Sequence, residues 1–197
     1  MVNCPAVARF TRDQLRSYVG ATVDDLLGPD VRLLFVGINP GLWTAAANAH
    51  FAKPGNRFWP ALYRGGLTDW LVDASGGLRP DDLAMVQRRG IGISNLAPMA
   101  TARADELSLD QLRAGATRLV QLVCEVRPAV VAVLGLTAYR SAFGRPKAVA
   151  GRQSEPIGDA ELWVLANPSG LNAHDTVDTL AAAYRSAAVA AGVVPDR

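Results

Sequence analysis

The chain has 197 residues, of which 50% are hydrophobic and 19% are charged. A chain of this length can fold as one globular domain that buries about 70% of its unfolded surface, so wholesale disorder and a disulfide scaffold are excluded. Its 20 basic residues are nearly balanced by 18 acidic ones, a charge too mild to indicate a nucleic-acid partner by itself.

The cysteines and the N-terminal residues bear on the compartment. Cys4 and Cys124 are widely separated and form no Cys-x-x-Cys pair, so we expect a reducing environment. Residues 1–20 carry charges throughout, and no segment reaches the ~18 apolar residues of a membrane span. We therefore predict a cytoplasmic protein with no membrane partner, no metal and no cofactor.

The first 30 residues are predicted to form a lead-in region. Thr11 and Gln14 have the spacing of a capping box, which predicts a short helix that ends near Val19. The Gly-Pro-Asp sequence at 28–30 is a breaker. The main domain is therefore expected to begin at residue 31.

Four segments rich in β-branched and aliphatic residues predict strands. Residues 31–38 are followed by Asn-Pro-Gly at 39–41, which is typical of a buried parallel strand that leads into a loop. Residues 130–136 and 162–166 are similar, and 91–96 is a shorter candidate.

Three further segments predict helices, at 56–67, 108–126 and 175–191. The second begins with a Ser-x-x-Gln capping box, and the third is rich in alanine and precedes a glycine. Because strands alternate with helices, we predict that residues 31–197 form an α/β three-layer sandwich, with a mostly parallel central sheet flanked by helices.

Ligands of such sheets bind beyond the carboxyl ends of the strands, which directs attention to the loop after residues 31–38. Its Asn39 lies between Gly37 and the turn formers Pro40 and Gly41. The Asn amide can hold a water molecule, although it is a poor proton acceptor. A purely structural role for Asn39 in the turn is the alternative.

Phe51 lies farther along the same loop, among small residues. An aromatic ring in this setting can be a stacking platform for a flat base, although isolated aromatic residues more often belong to the core. Residue type alone leaves both interpretations open.

A second loop follows residues 162–166 and also begins with Asn-Pro, at Asn167 and Pro168. Its apolar Leu171 is flanked by small polar residues. An exposed apolar side chain at a turn can act as a wedge between base pairs. The alternative is that Leu171 packs beneath the last helix.

Four motifs taken together resemble a known family. GINPGL at 37–42, KPGNRFW at 53–59, GISNLAP at 92–98 and NPSGL at 167–171 have the order and spacing of the mismatch-specific uracil-DNA glycosylases, bacterial relatives of thymine-DNA glycosylase. The resemblance extends over about residues 31–187.

This resemblance implies a monofunctional DNA N-glycosylase. Such an enzyme flips uracil, or a related pyrimidine, out of the duplex and hydrolyses its N-glycosidic bond, which leaves an abasic site and starts base excision repair. Asn39 matches the position that orients the attacking water. The bond breaks with oxocarbenium character on the sugar and negative charge on the base, so donors near the base oxygens are important.

The resemblance also implies a pocket for the flipped base. Ile38 would supply backbone amides, Asn95 would meet the pyrimidine edge, and Phe51 would stack on the ring. Trp43 and Thr44 would shape the pocket near the pyrimidine 5-position, where a bulky Trp43 would disfavour thymine.

Seven residues are implied to contact DNA, namely Lys53, Asn56, Arg57, Asn167, Ser169, Gly170 and Leu171. Lys53, Asn56 and Arg57 would contact phosphates, although Asn56 is also a suitable helix cap and Arg57 a possible structural ion pair. Relatives often carry Arg where this chain has Ala173, so a contact to the opposite strand is expected to be weaker or replaced.

The expected partner is double-stranded DNA with a G:U or related mismatch, bound by a monomer. A catalytically weak module that binds lesions or abasic sites is the main alternative, because an amide replaces a catalytic carboxylate. A nucleoside hydrolase that uses the same crevice is a third hypothesis, but it gives Leu171 and the paired Asn-Pro loops no role.

Overall fold

The computed structural model describes residues 10–170 and 172–196. The helices are α1 (Arg12–Arg16), α2 (Leu42–Ala47), α3 (Phe58–Arg64), α4 (Pro80–Arg88), α5 (Leu109–Val126), α6 (Leu136–Phe143) and α7 (Val177–Ala190). The strands are β1 (Leu33–Gly37), β2 (Ile91–Asn95), β3 (Val130–Leu134), β4 (Gly151–Arg152) and β5 (Glu161–Leu165).

The five strands form one sheet in the order β2-β1-β3-β5-β4. The pairs β1–β2, β1–β3 and β3–β5 are parallel, and the short β4 runs antiparallel to β5 at the edge. The four predicted strands and the mostly parallel sheet are confirmed. The two-residue β4 was not predicted, because it is too short to have a periodicity.

Alternate side chains of β1 point to opposite faces of the sheet, as the pleat requires. Leu33 and Phe35 pack in a core with residues of α3, α4 and α7. Leu34 and Val36 pack in a second core with residues of α5 and α6. Helices therefore cover both faces, which confirms the predicted three-layer sandwich.

The helices α1, α3, α5 and α7 were predicted, and α2, α4 and α6 were missed. Thr11 and Ser108 form the expected capping boxes of α1 and α5. By contrast, α2 and α6 have no side-chain cap, and α4 follows an Arg. Within the described residues, no helix is both long and apolar enough to cross a bilayer.

The start of α6 corrects the predicted strand at 130–136, because β3 ends at Leu134. Gly135 then turns the chain with φ +147°, in the region that favours glycine. A Cβ on Gly135 would lie 3.0 Å from Cδ1 of Ile38. The turn thus permits close packing against the loop after β1.

Part of the predicted lead-in region lies along the outer edge of β2. The backbone amides of Leu26 and Ile93 each donate to the other residue's carbonyl at 2.8 Å. The amide of Gly20 donates to the carbonyl of Ala100, also at 2.8 Å. Residues 20–26 therefore cover the sheet edge beside the carboxyl end of β2.

Candidate active site

Loops at the carboxyl end of the sheet surround a cavity of about 380 Å³. Its lining comes from residues within the segments 37–44, 50–56 and 95–105, from Leu134, and from Asn167, Ser169 and Asn172. Both Asn-Pro loops of the sequence thus border one cavity. This is where ligands bind in open α/β sheets.

The amide of Asn39 is fixed in one orientation at the cavity wall. Its Nδ2 donates to Oγ1 of Thr101 at 2.7 Å and also contacts the carbonyls of Pro40 and Met99 at 3.1 and 3.2 Å. The Thr101 hydroxyl in turn donates to the carbonyl of Arg103 at 2.7 Å. No group of the described residues donates to Oδ1 of Asn39, so this oxygen can accept from a water molecule.

Within the described part of the chain, Asp105 is the only carboxylate that lines the cavity. It forms an exposed ion pair with Arg103, whose Nε lies 2.9 Å from Oδ1. Hydrogen bonds from Arg103 lower the pKa of Asp105. The carboxylate therefore remains charged and paired, and the same residues contain no group of three His, Cys, Asp or Glu that could hold a metal ion.

Phe51 is held in a strained backbone position. Its φ is +56°, which costs a non-glycine residue about 1–2 kcal/mol. The ring stacks on Phe58 with centroids 4.0 Å apart and planes 23° apart. The side chain also lines the cavity, so the face opposite Phe58 is available to a flat ligand.

Gly37 is required by the close approach of two side chains. A Cβ at this position would lie 2.5 Å from Oδ1 of Asn95 and 3.2 Å from Cζ of Phe51. Such a distance to the Asn95 oxygen is not tolerated without a shift. The bare backbone of Gly37 therefore lets the amide and the aromatic ring meet at the cavity wall.

Asn95 contacts a buried histidine. Asn95 ends β2 and is 5% exposed, and His50 is 3% exposed. Nδ2 of Asn95 lies 3.3 Å from Nδ1 of His50, and Nε2 of His50 lies 2.9 Å from the carbonyl of Asp24. Burial lowers the pKa of His50, which favours the neutral ring. Nε2–H then donates to Asp24, and Nδ1 accepts from Asn95.

Arg57 holds the second loop, which follows β5, through hydrogen bonds to its main chain. Its guanidinium donates to the carbonyls of Ser169, Asn172 and Asp175, with 2.6 Å to Asn172. Its backbone amide donates to the carbonyl of Pro168 at 3.0 Å. Among the described residues, the partners of the Arg57 guanidinium are main-chain oxygens and not the carboxylate of an ion pair, and the phosphate contact stays a prediction.

The structure brings most of the predicted site residues to one cavity. The residues that line it are Ile38, Asn39, Thr44, Phe51, Lys53, Asn56, Asn95, Asn167 and Ser169. Oδ1 of Asn56 accepts from the amide of Phe58 at 2.9 Å, just before α3. The N-cap of α3 is Arg57, which makes no side-chain capping bond, so Asn56 is not the helix cap predicted for that position.

Among the described residues, three of the predicted ones, Trp43, Arg57 and Gly170, are not part of the cavity lining. Trp43 packs against the core and donates from Nε1 to the carbonyl of Ser75 at 2.9 Å, so it does not shape the pocket as predicted. Gly170 is exposed, and a Cβ there would lie 3.2 Å from the carbonyl oxygen of Gly55. Leu171, the predicted wedge, lies outside the described residues.

Two residues at the site were missed by the sequence analysis. His50 precedes Phe51 and is one of only two histidines in the chain, and this rarity could have drawn attention to it. Thr101 lies in a segment without a motif. Its role depends on a partner 62 positions away, Asn39, which no local pattern shows.

Comparison with known proteins agrees with this architecture. The family model described as "Uracil DNA glycosylase superfamily" matches residues 25–189. Among solved structures, the fold is similar to that of a candidate uracil DNA glycosylase from Methanosarcina acetivorans, determined by NMR in solution. The TM-score is 0.56 at 15% identity, and the match covers 85% of this chain and 98% of the other. At this identity the structural likeness shows the fold alone.

Proposed function

Because this chain belongs to the uracil DNA glycosylase superfamily, we propose that it removes uracil, or a related pyrimidine, opposite guanine in duplex DNA. One observation carries the proposal. A single cavity contains a fixed Asn39 whose amide oxygen accepts from no described residue, an aromatic ring at Phe51 and the buried amide of Asn95. These groups suit a water molecule, a flat ring and a polar ring edge.

The proposed reaction is hydrolysis of the bond between the base and C1′ of the sugar. Oδ1 of Asn39 accepts from a water and aims its oxygen at C1′. Since a neutral amide is a weak base, the bond to the base breaks largely before water attacks, and the sugar passes through an oxocarbenium-like state. The water oxygen bonds to C1′, and the departing base takes up a proton.

The departing base carries negative charge, so donors near its oxygens lower the barrier. Asn95 and the backbone around Ile38 line the cavity and are suited to this task. They are buried or partly buried, and hydrogen bonds are stronger there than in water. No carboxylate is required to abstract a proton in this scheme.

The base must leave the helical stack to reach the cavity. We propose that Leu171 fills the gap, and that Asn167, Ser169 and Gly170 face the backbone and the unpaired guanine. The support is the fixed loop position, which Arg57 maintains through three carbonyls. Lys53 lines the cavity and is suited to contact a phosphate.

We further propose that the protein acts as a monofunctional glycosylase, as a monomer in the cytoplasm, and without metal or cofactor. Sedimentation of the protein alone and with a mismatched duplex measures whether one copy binds each lesion. A stable dimer in both samples contradicts the monomer.

The proposal is tested by base release from four substrates, namely uracil opposite guanine, uracil opposite adenine, thymine opposite guanine, and uracil in a single strand. We expect the fastest release for uracil opposite guanine. Asn39→Ala is expected to lower that rate about 10³-fold, within the range for lost acid–base and positioning groups, while binding to abasic DNA is retained.

Asn48→Gly is the matched control, because Asn48 is an exposed Asn of the same loop with φ +46°, which glycine adopts freely. It should leave the rate unchanged. Tight binding to abasic DNA without turnover of any substrate would instead support the lesion-binding module. Activity on free deoxyuridine but not on DNA would support the nucleoside hydrolase.

A further inference from the structure

The buried surroundings of Asn95 contain more polar contacts than the proposed reaction uses. His50 bonds to its side chain, and Arg118 of α5 bonds to its backbone. Both partners are tied to adjacent residues of the N-terminal segment, Asp24 and Asp25. Residues 24 and 25 are therefore connected to the cavity wall through the side chains of His50 and Arg118.

The donor and the acceptor in each of the two hydrogen bonds of His50 can be assigned. Nε2–H donates to the carbonyl of Asp24, which can only accept. Nδ1 of the neutral ring must then be an acceptor, so the Asn95 atom beside it must be the donor Nδ2. Oδ1 of Asn95 consequently lies on the other side, over Gly37.

Arg118 fixes the backbone that carries this amide. Its Nη2 donates to the carbonyl of Asn95 and to Oγ of Ser94, with 3.2 Å to Ser94. Its Nη1 lies 3.2 Å from Oδ2 of Asp25, whose side chain is 20% exposed. The end of β2 is thereby held between α5 and the N-terminal segment.

We propose that His50 is a positioning residue that selects the base, because with Asp24 it forces Asn95 to present its amide oxygen to the cavity. This inference rests on the proposed function. An oxygen in that place accepts from a ring N–H, which uracil and thymine have at N3. The second hydrogen of Nδ2 is free to donate to O4.

Cytosine has the opposite pattern, with a bare acceptor at N3 and an amino group at C4. Beside the fixed Asn95 amide, the N3 lone pair of cytosine would face Oδ1. The amino group at C4 would face the N–H of Nδ2. Unpaired polar groups of this kind discriminate strongly in a buried site. Because His50 has one donor and one acceptor nitrogen, it fixes the Asn95 amide so that the cavity binds bases with an N3–H and rejects cytosine. An amide that rotated freely would bind both kinds of base.

The test compares 5-fluorouracil with 5-fluorocytosine, each placed opposite a tetrahydrofuran abasic analogue so that neither base is paired. Fluorine assists departure of both bases, which makes the slow rates measurable in single-turnover assays. For the unmodified protein we expect 5-fluorouracil to leave at least about 100-fold faster. In His50→Leu this ratio should fall at least about tenfold, as expected for one lost hydrogen-bond restraint.

Two further variants sharpen the comparison. His50→Asn places a carbonyl oxygen near the position of Nδ1 and should recover part of the ratio. Asn48→Gly should leave the ratio unchanged. An active His50→Leu protein with an unchanged ratio overturns the positioning role and leaves the proposed function intact. An unmodified protein that releases no uracil or 5-fluorouracil overturns the proposed function and the base-reading role together.

A measurement on the unmodified protein avoids the risk that His50→Leu fails to fold. ¹⁵N-labelled protein has two histidines, and His174→Gln assigns their ring signals. We expect His50 to be neutral at pH 7 with the proton on Nε2. A proton on Nδ1 would reverse the direction of the bond to Asn95 and overturn the inference.

Discussion

The two loops that border the cavity are held by different means. On one side, Asn95, His50 and Thr44 are buried, with exposed fractions of 5%, 3% and 6%, and the amides of Asn39 and Asn95 are oriented by Thr101 and His50. On the other side, the loop 167–172 depends largely on Arg57, which contacts its main-chain oxygens. The first side can fix angles for chemistry and base selection, and the second can position DNA. The two functions should therefore be separable by mutation.

After the loss expected for Asn39→Ala, the largest effect is expected from Thr101→Val, which removes the shortest of the three hydrogen bonds of the Asn39 amide and changes little else in size. The amide is then oriented less firmly, and the rate of uracil release should fall about 100-fold, as for a lost oriented group at an active site. Binding to abasic DNA should change by less than about threefold.

Thr117→Val is the control for this change. Thr117 is exposed on α5 and donates weakly within its own helix, to the carbonyl of Arg113 at 3.4 Å. A rate for Thr101→Val equal to that of Thr117→Val would show that Asn39 is oriented without the threonine hydroxyl.

The second effect concerns the other side of the cavity. Arg57→Leu leaves three carbonyls without their donor, at a cost of about 1 kcal/mol or more for each bond. Fluorescence anisotropy with a duplex that carries an abasic analogue should show affinity weakened about tenfold to 100-fold. Release of uracil at saturating protein should be reduced far less.

Arg64→Leu is the matched control, since Arg64 ends the same helix, α3, and forms an exposed ion pair with Asp178. Such pairs contribute at most about 1 kcal/mol. If Arg57→Leu lowers the rate of uracil release at saturating protein as much as it lowers the affinity for DNA, the two sides of the cavity do not have separate functions.

The smallest expected effect is a pH dependence of the free energy of unfolding, which is caused by His50 on the buried side of the cavity. Burial lowers the pKa of His50 from 6.5, so the unfolded chain takes up a proton more readily than the folded one. This contribution to stability is fully present above pH 6.5 and is lost as the pH falls through the lowered pKa. The Asp24 carbonyl and the Asp25 carboxylate oppose the shift only in part.

Urea unfolding at pH 8.0 and pH 5.5 measures this contribution. The loss of unfolding free energy between the two values should be smaller in His50→Gln than in the unmodified protein, and His174→Gln should behave like the unmodified protein. Equal losses in all three proteins would mean that His50 is protonated as easily in the folded state as in the unfolded state.

Local patterns predicted the elements that carry their own signals. The β-branched segments became β1, β2, β3 and β5, because buried parallel strands are continuous apolar segments. Capping boxes located the starts of α1 and α5. The helices α2 and α6 have no side-chain cap and were missed.

The α/β class, the two Asn-Pro loops and their place after strands follow from the amino-acid sequence alone, since strand and turn preferences act over a few residues. Which side chains meet depends on the tertiary fold. His50 reaches Asn95 over 45 positions, Asn39 reaches Thr101 over 62, and Arg57 reaches Ser169 over 112. Hydrogen bonds depend on distance and direction in space, and the folding of the sheet brings these distant positions together at one edge.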